Sequence, residues 1–194
     1  MYRFAKGLAR VLFYGFKKVE VKNRHLVKGK EGYVIACTHD GWLEIIALGV
    51  TLPKSIHYMA KKELFENRVI GYFLKRLNAF PVNRDNPGPS SLKTPIKLLK
   101  SGEVVGIFPH GTRTAEDISL KRGAVTIANL AKAPIVPAYY DGPNTLKELY
   151  FSRKKTTVIF GEPFYIKTSN KEEIAEYTDY LNEQFKQLKK VLEK

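Results

Sequence analysis

Short apolar runs alternate with longer amphipathic stretches along most of this chain, the pattern of an α/β domain. Tyr33 to Thr38 reads as a buried strand, Trp42 to Val50 has helical character, and Ser55 to Ala60 reads as another strand. Lys62 to Lys75 reads as a helix with a basic side, and Ala79 to Val82 as a short extended piece. The segment Asp85 to Ser90 contains Asn-Pro-Gly-Pro and is expected to form a loop, followed by a helix near Leu92 to Lys100. A strand at Val104 to Phe108, a loop to Lys121, a helix at Arg122 to Ala131 and a strand at Ile135 to Tyr139 follow. Thr156 to Phe160 is a further strand, and Lys171 to Leu192 makes a long charged helix. No internal repeat, low-complexity tract or linker interrupts the pattern.

The first nineteen residues carry a different signal. At about 100° per residue, Arg3, Lys6, Arg10 and Lys17 share one narrow sector, while Phe4, Leu8, Val11, Leu12 and Phe16 fall on the other side. An apolar face with aromatics, backed by a basic face, suits a helix lying in a lipid headgroup layer. Taken alone it equally suits a terminal helix packed on its own domain. The expected organisation is a membrane-association helix over residues 1–20 and one α/β domain over 21–194.

Composition sharpens the choice of partner. The 194 residues suit one domain, and 33 Lys and Arg against 19 Asp and Glu give a net charge of +14, which favours anionic partners such as lipid headgroups, phosphates or nucleic acid. The one cysteine, Cys37, excludes a disulfide framework and a cysteine metal cluster and fits a reducing compartment. Arg3, Lys6 and Arg10 break the N-terminal apolar residues, so no secretory leader is expected, and no run of about 18 uncharged apolar residues suggests a spanning helix.

Three polar clusters directly follow predicted strands, where open α/β sheets place their sites. The first is Thr38-His39-Asp40-Gly41-Trp42-Leu43-Glu44. Residues five apart on one helix point about 140° from each other, so His39 and Glu44 cannot meet on a continuous helix. If Asp40-Gly41 is a turn and the helix starts near Trp42, Glu44 lies in its first turn and can reach back. A carboxylate behind a histidine fixes its tautomer and leaves the other ring nitrogen to take a hydroxyl proton. A polar helix start with a hydrogen-bonded histidine reads the same residues without chemistry. The second cluster, Phe80-Pro81-Val82-Asn83-Arg84, ends in an arginine suited to a two-pronged phosphate contact, or simply to solvent. The third, Phe108-Pro109-His110-Gly111-Thr112-Arg113-Thr114, ends a strand in a Pro-X-Gly turn that would expose backbone N–H groups beside Arg113, with Lys121 and Arg122 further on. An ordinary strand-to-loop turn accounts for it equally.

In order, these clusters resemble the phospholipid and glycerol acyltransferase family, which includes bacterial lysophosphatidic acid acyltransferases. That family carries a His-X4-Asp motif, a Phe-Pro-X-X-Arg-like element, a Phe-Pro-Glu-Gly-Thr-Arg-Ser motif and a Val-Pro element. The resemblance runs from about Tyr33 to Tyr139 and takes in Ala60-Lys61-Lys62-Glu63-Leu64 and Val136-Pro137. It implies a mixed central sheet flanked by helices, with N-terminal membrane-binding elements. His39 would be the general base on the acceptor hydroxyl, with Glu44 in place of the family's aspartate. Arg84 and Arg113 would bind the acceptor's phosphate, Gly111 and Thr112 would shape its pocket, and Lys121 is a further phosphate candidate. Attack on the thioester would be direct, with no acyl-enzyme, no metal and no cofactor. Acyl-CoA or acyl-carrier protein would be the co-substrate and 1-acyl-glycerol-3-phosphate the acceptor. The protein would work peripherally at the cytoplasmic face of the membrane, with membrane lipids as partners and no nucleic acid.

His110 departs from the pattern, standing where the family has glutamate. It leaves open a more anionic acceptor, a different lysolipid, an amino-acid lipid or a weakened enzyme. His25 and His57 match no motif and read as structural or solvated. Cys37 reads as a small buried residue, and Trp42, Phe65, Tyr72 and Phe73 read as acyl-channel lining or as core. The reading from another class is a non-catalytic basic module for membrane or nucleic acid, marked by strong salt dependence. No phosphate-binding loop, Gly-X-Ser-X-Gly elbow or dinucleotide fingerprint supports kinase, serine hydrolase or dehydrogenase chemistry.

Overall fold

The structure is a computed structural model that describes residues 7, 19–38, 41, 43–83, 89–108, 115–151, 155–168 and 170–193. Arg3, Phe4, Lys6, Leu8, Arg10, Val11, Leu12, Phe16 and Lys17, expected from the sequence to form a membrane-association helix, lie outside them.

Seven strands form one sheet in the order β1-β7-β6-β2-β5-β3-β4. They are β1 (Val19–Lys22), β2 (Tyr33–Cys37), β3 (Ile56–Lys61), β4 (Phe80–Val82), β5 (Val104–Ile107), β6 (Ile135–Asp141) and β7 (Thr156–Phe160). Every pairing is parallel except β6 with β7, so the sheet is mixed, as expected. Among the described residues, the helices named below are α1 (Leu43–Thr51), α2 (Arg68–Arg76), α3 (Pro89–Lys100), α4 (Ala115–Ala131), α5 (Leu146–Phe151) and α6 (Lys171–Leu192).

The central strand explains the layering. All five residues of β2 are buried, as a parallel strand covered on both faces requires. Its alternate side chains divide between two cores: Tyr33, Ile35 and Cys37 pack with Leu43, Ala47 and Leu48 of α1, whereas Val34 and Ala36 pack with Leu99, Ala124, Ala128, Leu181 and Phe185 of α3, α4 and α6. At the amino ends of the parallel strands, the Lys54 ammonium donates to the carbonyls of Lys30, Glu31 and Gly102, just ahead of β2 and β5. Its three donors are thereby all used, and the lead-ins to two neighbouring strands are tied together. Nearby, a Cβ on Gly32 would collide with the Leu99 carbonyl oxygen, so only glycine lets this lead-in pass the end of α3.

Several boundaries differ from the sequence reading. Val19 and Glu20, placed there at the end of the terminal helix, open β1. The stretch read as one helix from Lys62 to Lys75 is a 3₁₀ turn, Lys62–Phe65, and then α2, because the Asn67 side chain accepts from the Val69 and Ile70 N–H groups and starts a new helix. α3 begins at Pro89 inside the expected loop, since proline is tolerated in a helix's first turn, where its missing N–H is not needed. α4 begins at Ala115 rather than Arg122; no Gly or Pro between the two breaks a helix. α6 and β7 match the reading to the residue.

Candidate active site

The three clusters leave the sheet at one end. β2, β5 and β4 all run parallel, through the pairings of β2 with β5, β5 with β3 and β3 with β4, so Thr38, Phe108 and Asn83 follow the carboxyl ends of strands on one edge of the molecule. β2 sits where the order changes direction: the next strands in sequence, β3 and β4, lie on its β5 side, and β6, β7 and β1 lie on the other. Open α/β sheets bind ligands at such a point. His39, Asp40, Trp42, Arg84, His110, Gly111, Thr112 and Arg113 lie outside the described residues, so the structure defines the frame that carries them.

Of the candidate site residues, Glu44 is the best defined. It sits in the first turn of α1, 1% exposed, and its Oε1 accepts a 2.7 Å hydrogen bond from the Gly41 N–H. The carboxylate therefore reaches back three residues along the chain to Gly41, from a helix that starts after Gly41, as expected. The position suits its charge, because the first turn of a helix presents N–H groups and a partial positive end.

A second loop closes against this one. Tyr140 of β6 donates from its hydroxyl to the Pro143 carbonyl at 2.7 Å, and a Cβ on Gly142 would lie 2.5 Å from that hydroxyl, so the turn after β6 is wrapped over the ring. The wrap carries Asn144 to Gly41, whose missing Cβ would stand 3.0 Å from the Asn144 carbonyl oxygen. Thr145 and Glu148 then cap α5: the Thr145 hydroxyl accepts from the Glu148 N–H at 3.2 Å, and the Glu148 carboxylate accepts from the Asn144 N–H at 3.0 Å. Burial raises the Tyr140 pKa above its ordinary value, and the Glu44 charge adds to the rise, so this phenol stays neutral beside the site.

The opposite flank is aromatic. Tyr58 of β3 stacks on Phe108 with ring centroids 5.8 Å apart, and the Tyr58 hydroxyl donates to the Ile45 carbonyl of α1 at 3.1 Å. Gly106 makes room for that ring, since a Cβ there would meet Phe108 at 2.8 Å and Ile56 at 2.7 Å.

Of the remaining sequence candidates, Lys121 is 5% exposed within α4, a buried cation rather than a surface one. Cys37 is fully buried in the α1 core, as expected. His57 pairs with Glu103 at 3.5 Å, at the far end of the sheet, and His25 is exposed in a 3₁₀ turn. Tyr72 and Phe73 are half exposed, so they are not core residues. The sequence reading missed Tyr58, Tyr140 and Asn144; only the Gly142-Pro143-Asn144 turn was a signal for the last. Among the described residues, no group of three or more His, Cys, Asp and Glu is placed to hold a metal ion, and no helix is long and apolar enough to cross a membrane.

Comparison with known proteins places this frame. The model of the Acyltransferase family matches residues 18–141, which contain all three clusters. A 1-acyl-sn-glycerol-3-phosphate acyltransferase of Bacillus subtilis is 54% identical over 198 residues, covering 100% of this chain and 99% of its own length. Another so named, from Streptococcus pneumoniae, is 35% identical over 96% of this chain and 72% of its own. Among solved structures, the 1-acyl-sn-glycerophosphate acyltransferase of Thermotoga maritima superposes with a TM-score of 0.68 over 97% of this chain and 79% of that one, at 21% identity, a likeness of fold.

Proposed function

The chain belongs to the Acyltransferase family, and from that premise we propose that it acylates the free hydroxyl of 1-acyl-glycerol-3-phosphate, using an acyl thioester as donor, in phospholipid biosynthesis. The observation that carries this reading is the full-length likeness to the Bacillus subtilis enzyme, whose name states that acceptor.

In the proposed mechanism, His39 takes the proton of the acceptor hydroxyl. The oxygen attacks the thioester carbonyl carbon, a C–O bond forms, the C–S bond breaks, and the imidazolium returns the proton to the departing thiolate. Glu44 holds the imidazolium side of this exchange; its buried place in the first turn of α1, reaching back toward the cluster, supports that role. Arg84 and Arg113 neutralise the acceptor's phosphate, with Gly111 and Thr112 shaping the turn around it. Attack is direct, and the burial of Cys37 supports a route without a cysteine acyl-enzyme. The donor is acyl-CoA or acyl-carrier protein. The protein works peripherally on the cytoplasmic membrane face, which the +14 charge and the amphipathic pattern of residues 1–20 support.

The test is acyl transfer by purified protein in anionic vesicles, with acyl-CoA and acyl-carrier protein as alternative donors and a panel of acceptors. Formation of phosphatidic acid from 1-acyl-glycerol-3-phosphate is the expected result. Product from another lysolipid alone would keep the chemistry and assign the change of acceptor to His110. Inert acceptors throughout would overturn the proposal.

A further inference from the structure

Among the described residues, the exposed large apolar side chains concentrate on the connection between β3 and β4. Val69 is 65% exposed, Phe73 53%, Ile70 46% and Leu77 38%, with Leu64 of the preceding 3₁₀ turn at 45%. At about 100° per residue, the first four fall within one sector of about 100°. The packed side of α2 is elsewhere: Gly71 is buried, and a Cβ on it would lie 2.8 Å from the Phe65 carbonyl oxygen. The helix is thus packed by its glycine face against its own preceding 3₁₀ turn and turns its apolar face outward. The other exposed large apolar residues, such as Phe151, Leu130 and Val191, are scattered over different helices, as on any soluble surface.

The charge around the face suits an anionic occupant. Over Lys61–Leu77 five cations, Lys61, Lys62, Arg68, Lys75 and Arg76, stand against two carboxylates, Glu63 and Glu66, and all seven are exposed. Arg76 lies over the Tyr72 ring, 5.1 Å from its centroid, a cation and an amphipathic aromatic side by side. Such a helix fits the boundary between acyl chains and anionic headgroups. Its position fits too. Lys61 pairs in register with Val82, so the 3₁₀ turn leaves the sheet at the same end at which β4 enters the cluster of Arg84.

We propose that the outward face of α2, with Leu64, is a docking surface for an anionic lipid bilayer, separate from residues 1–20, that sets the carboxyl end of the sheet against the membrane. This inference rests on the acyltransferase reading for its purpose, but not for its measurement.

The experiment uses the full chain. Sedimentation with vesicles of phosphatidylglycerol and phosphatidylcholine is compared with phosphatidylcholine alone, for wild type, the double variant Ile70→Gln/Phe73→Gln and the control Phe151→Gln. The expected result is anionic-vesicle binding weakened about tenfold or more in the double variant and unchanged in the control. Acylation of a detergent-dispersed acceptor should be kept, and acylation of a vesicle-embedded one lost. If no acceptor is ever acylated, the binding result still decides this proposal and only the function proposed above fails. Ile70→Cys carrying a polarity-sensitive dye, with Cys37 buried and unlabelled, gives a second measurement: a blue shift with anionic vesicles is expected. Equal vesicle binding by wild type and double variant, or no dye shift, overturns the proposal. So does a wild-type dimer that the double variant dissociates, which would make the face an interface between copies. Faster hydrogen exchange of residues 1–18 in the lipid-free double variant would show that segment covering α2, and would overturn the proposal as well.

Discussion

Glu44 is the residue on which the local account turns. Glu44→Ala removes the acceptor for the Gly41 N–H and a buried charge-assisted bond, with an expected loss of about 1.5–3 kcal/mol in urea unfolding. Glu44→Gln keeps an acceptor oxygen for that N–H but not the charge, so stability should change less while acyl transfer still falls. It also leaves a readout independent of activity: without the Glu44 charge, Tyr140 should ionise at lower pH than in wild type, measured by ultraviolet titration of the phenols. The sign for stability follows from the same shift. The pKa values of Tyr33 and Tyr140 are both raised, chiefly by burial, so the stability they contribute is whole below the unfolded tyrosine pKa of about 10 and drains away as pH rises beyond it. Denaturation midpoints should therefore hold up to about pH 9 and fall from there into the strongly alkaline range. Gly142→Ala brings a Cβ to 2.5 Å from the Tyr140 hydroxyl and should cost about 1–3 kcal/mol as the turn carrying Asn144 is displaced.

At the scale of elements, the caps and ties of the fold can be tested without reference to chemistry. Asn67→Ala should lower stability by about 1 kcal/mol, because two N–H groups at the start of α2 lose their acceptor. Lys54→Met should cost about 1–2 kcal/mol, since three carbonyls at the amino ends of the sheet lose one shared donor. Elements are legible in the sequence where a single physical signal dominates. The buried β7 and the long charged α6 can be read to the residue, because burial on both faces and a helical amphipathic pattern sustained over 22 residues leave little choice. Boundaries are lost where local and tertiary signals compete. Asn67 looks like an ordinary polar position in a basic helix, and only its side chain in place shows it capping α2. β1, four residues long, is hidden in a helical pattern and owes its form to pairing with β7. The six residues of α5 are too few to show a period. The place of Glu44 in the first turn of α1 could be inferred from spacing, but the meeting of Gly41 with Asn144 depends on β6 lying beside β2. Nothing in the sequence near either residue announces that.

For the whole molecule, one sheet separates two duties. The amino ends are tied by Lys54 and the lead-in at Gly32, and the carboxyl ends release the three clusters and the apolar face of α2. The family assignment over residues 18–141 makes the chain an enzyme rather than a bare binding module, and the function proposed above takes the +14 charge as one for phosphates and lipid headgroups rather than nucleic acid. Because this attraction is electrostatic, binding to anionic vesicles should weaken as salt is raised well above about 0.15 M, where screening shortens to a few ångströms. The central claim is chemical, and it is tested most directly by comparing acyl transfer to 1-acyl-glycerol-3-phosphate by wild type and His39→Ala under the same vesicle conditions. The account predicts a loss of about 10²- to 10⁴-fold in kcat with vesicle binding and folding intact. A His39→Ala protein as active as wild type would contradict it.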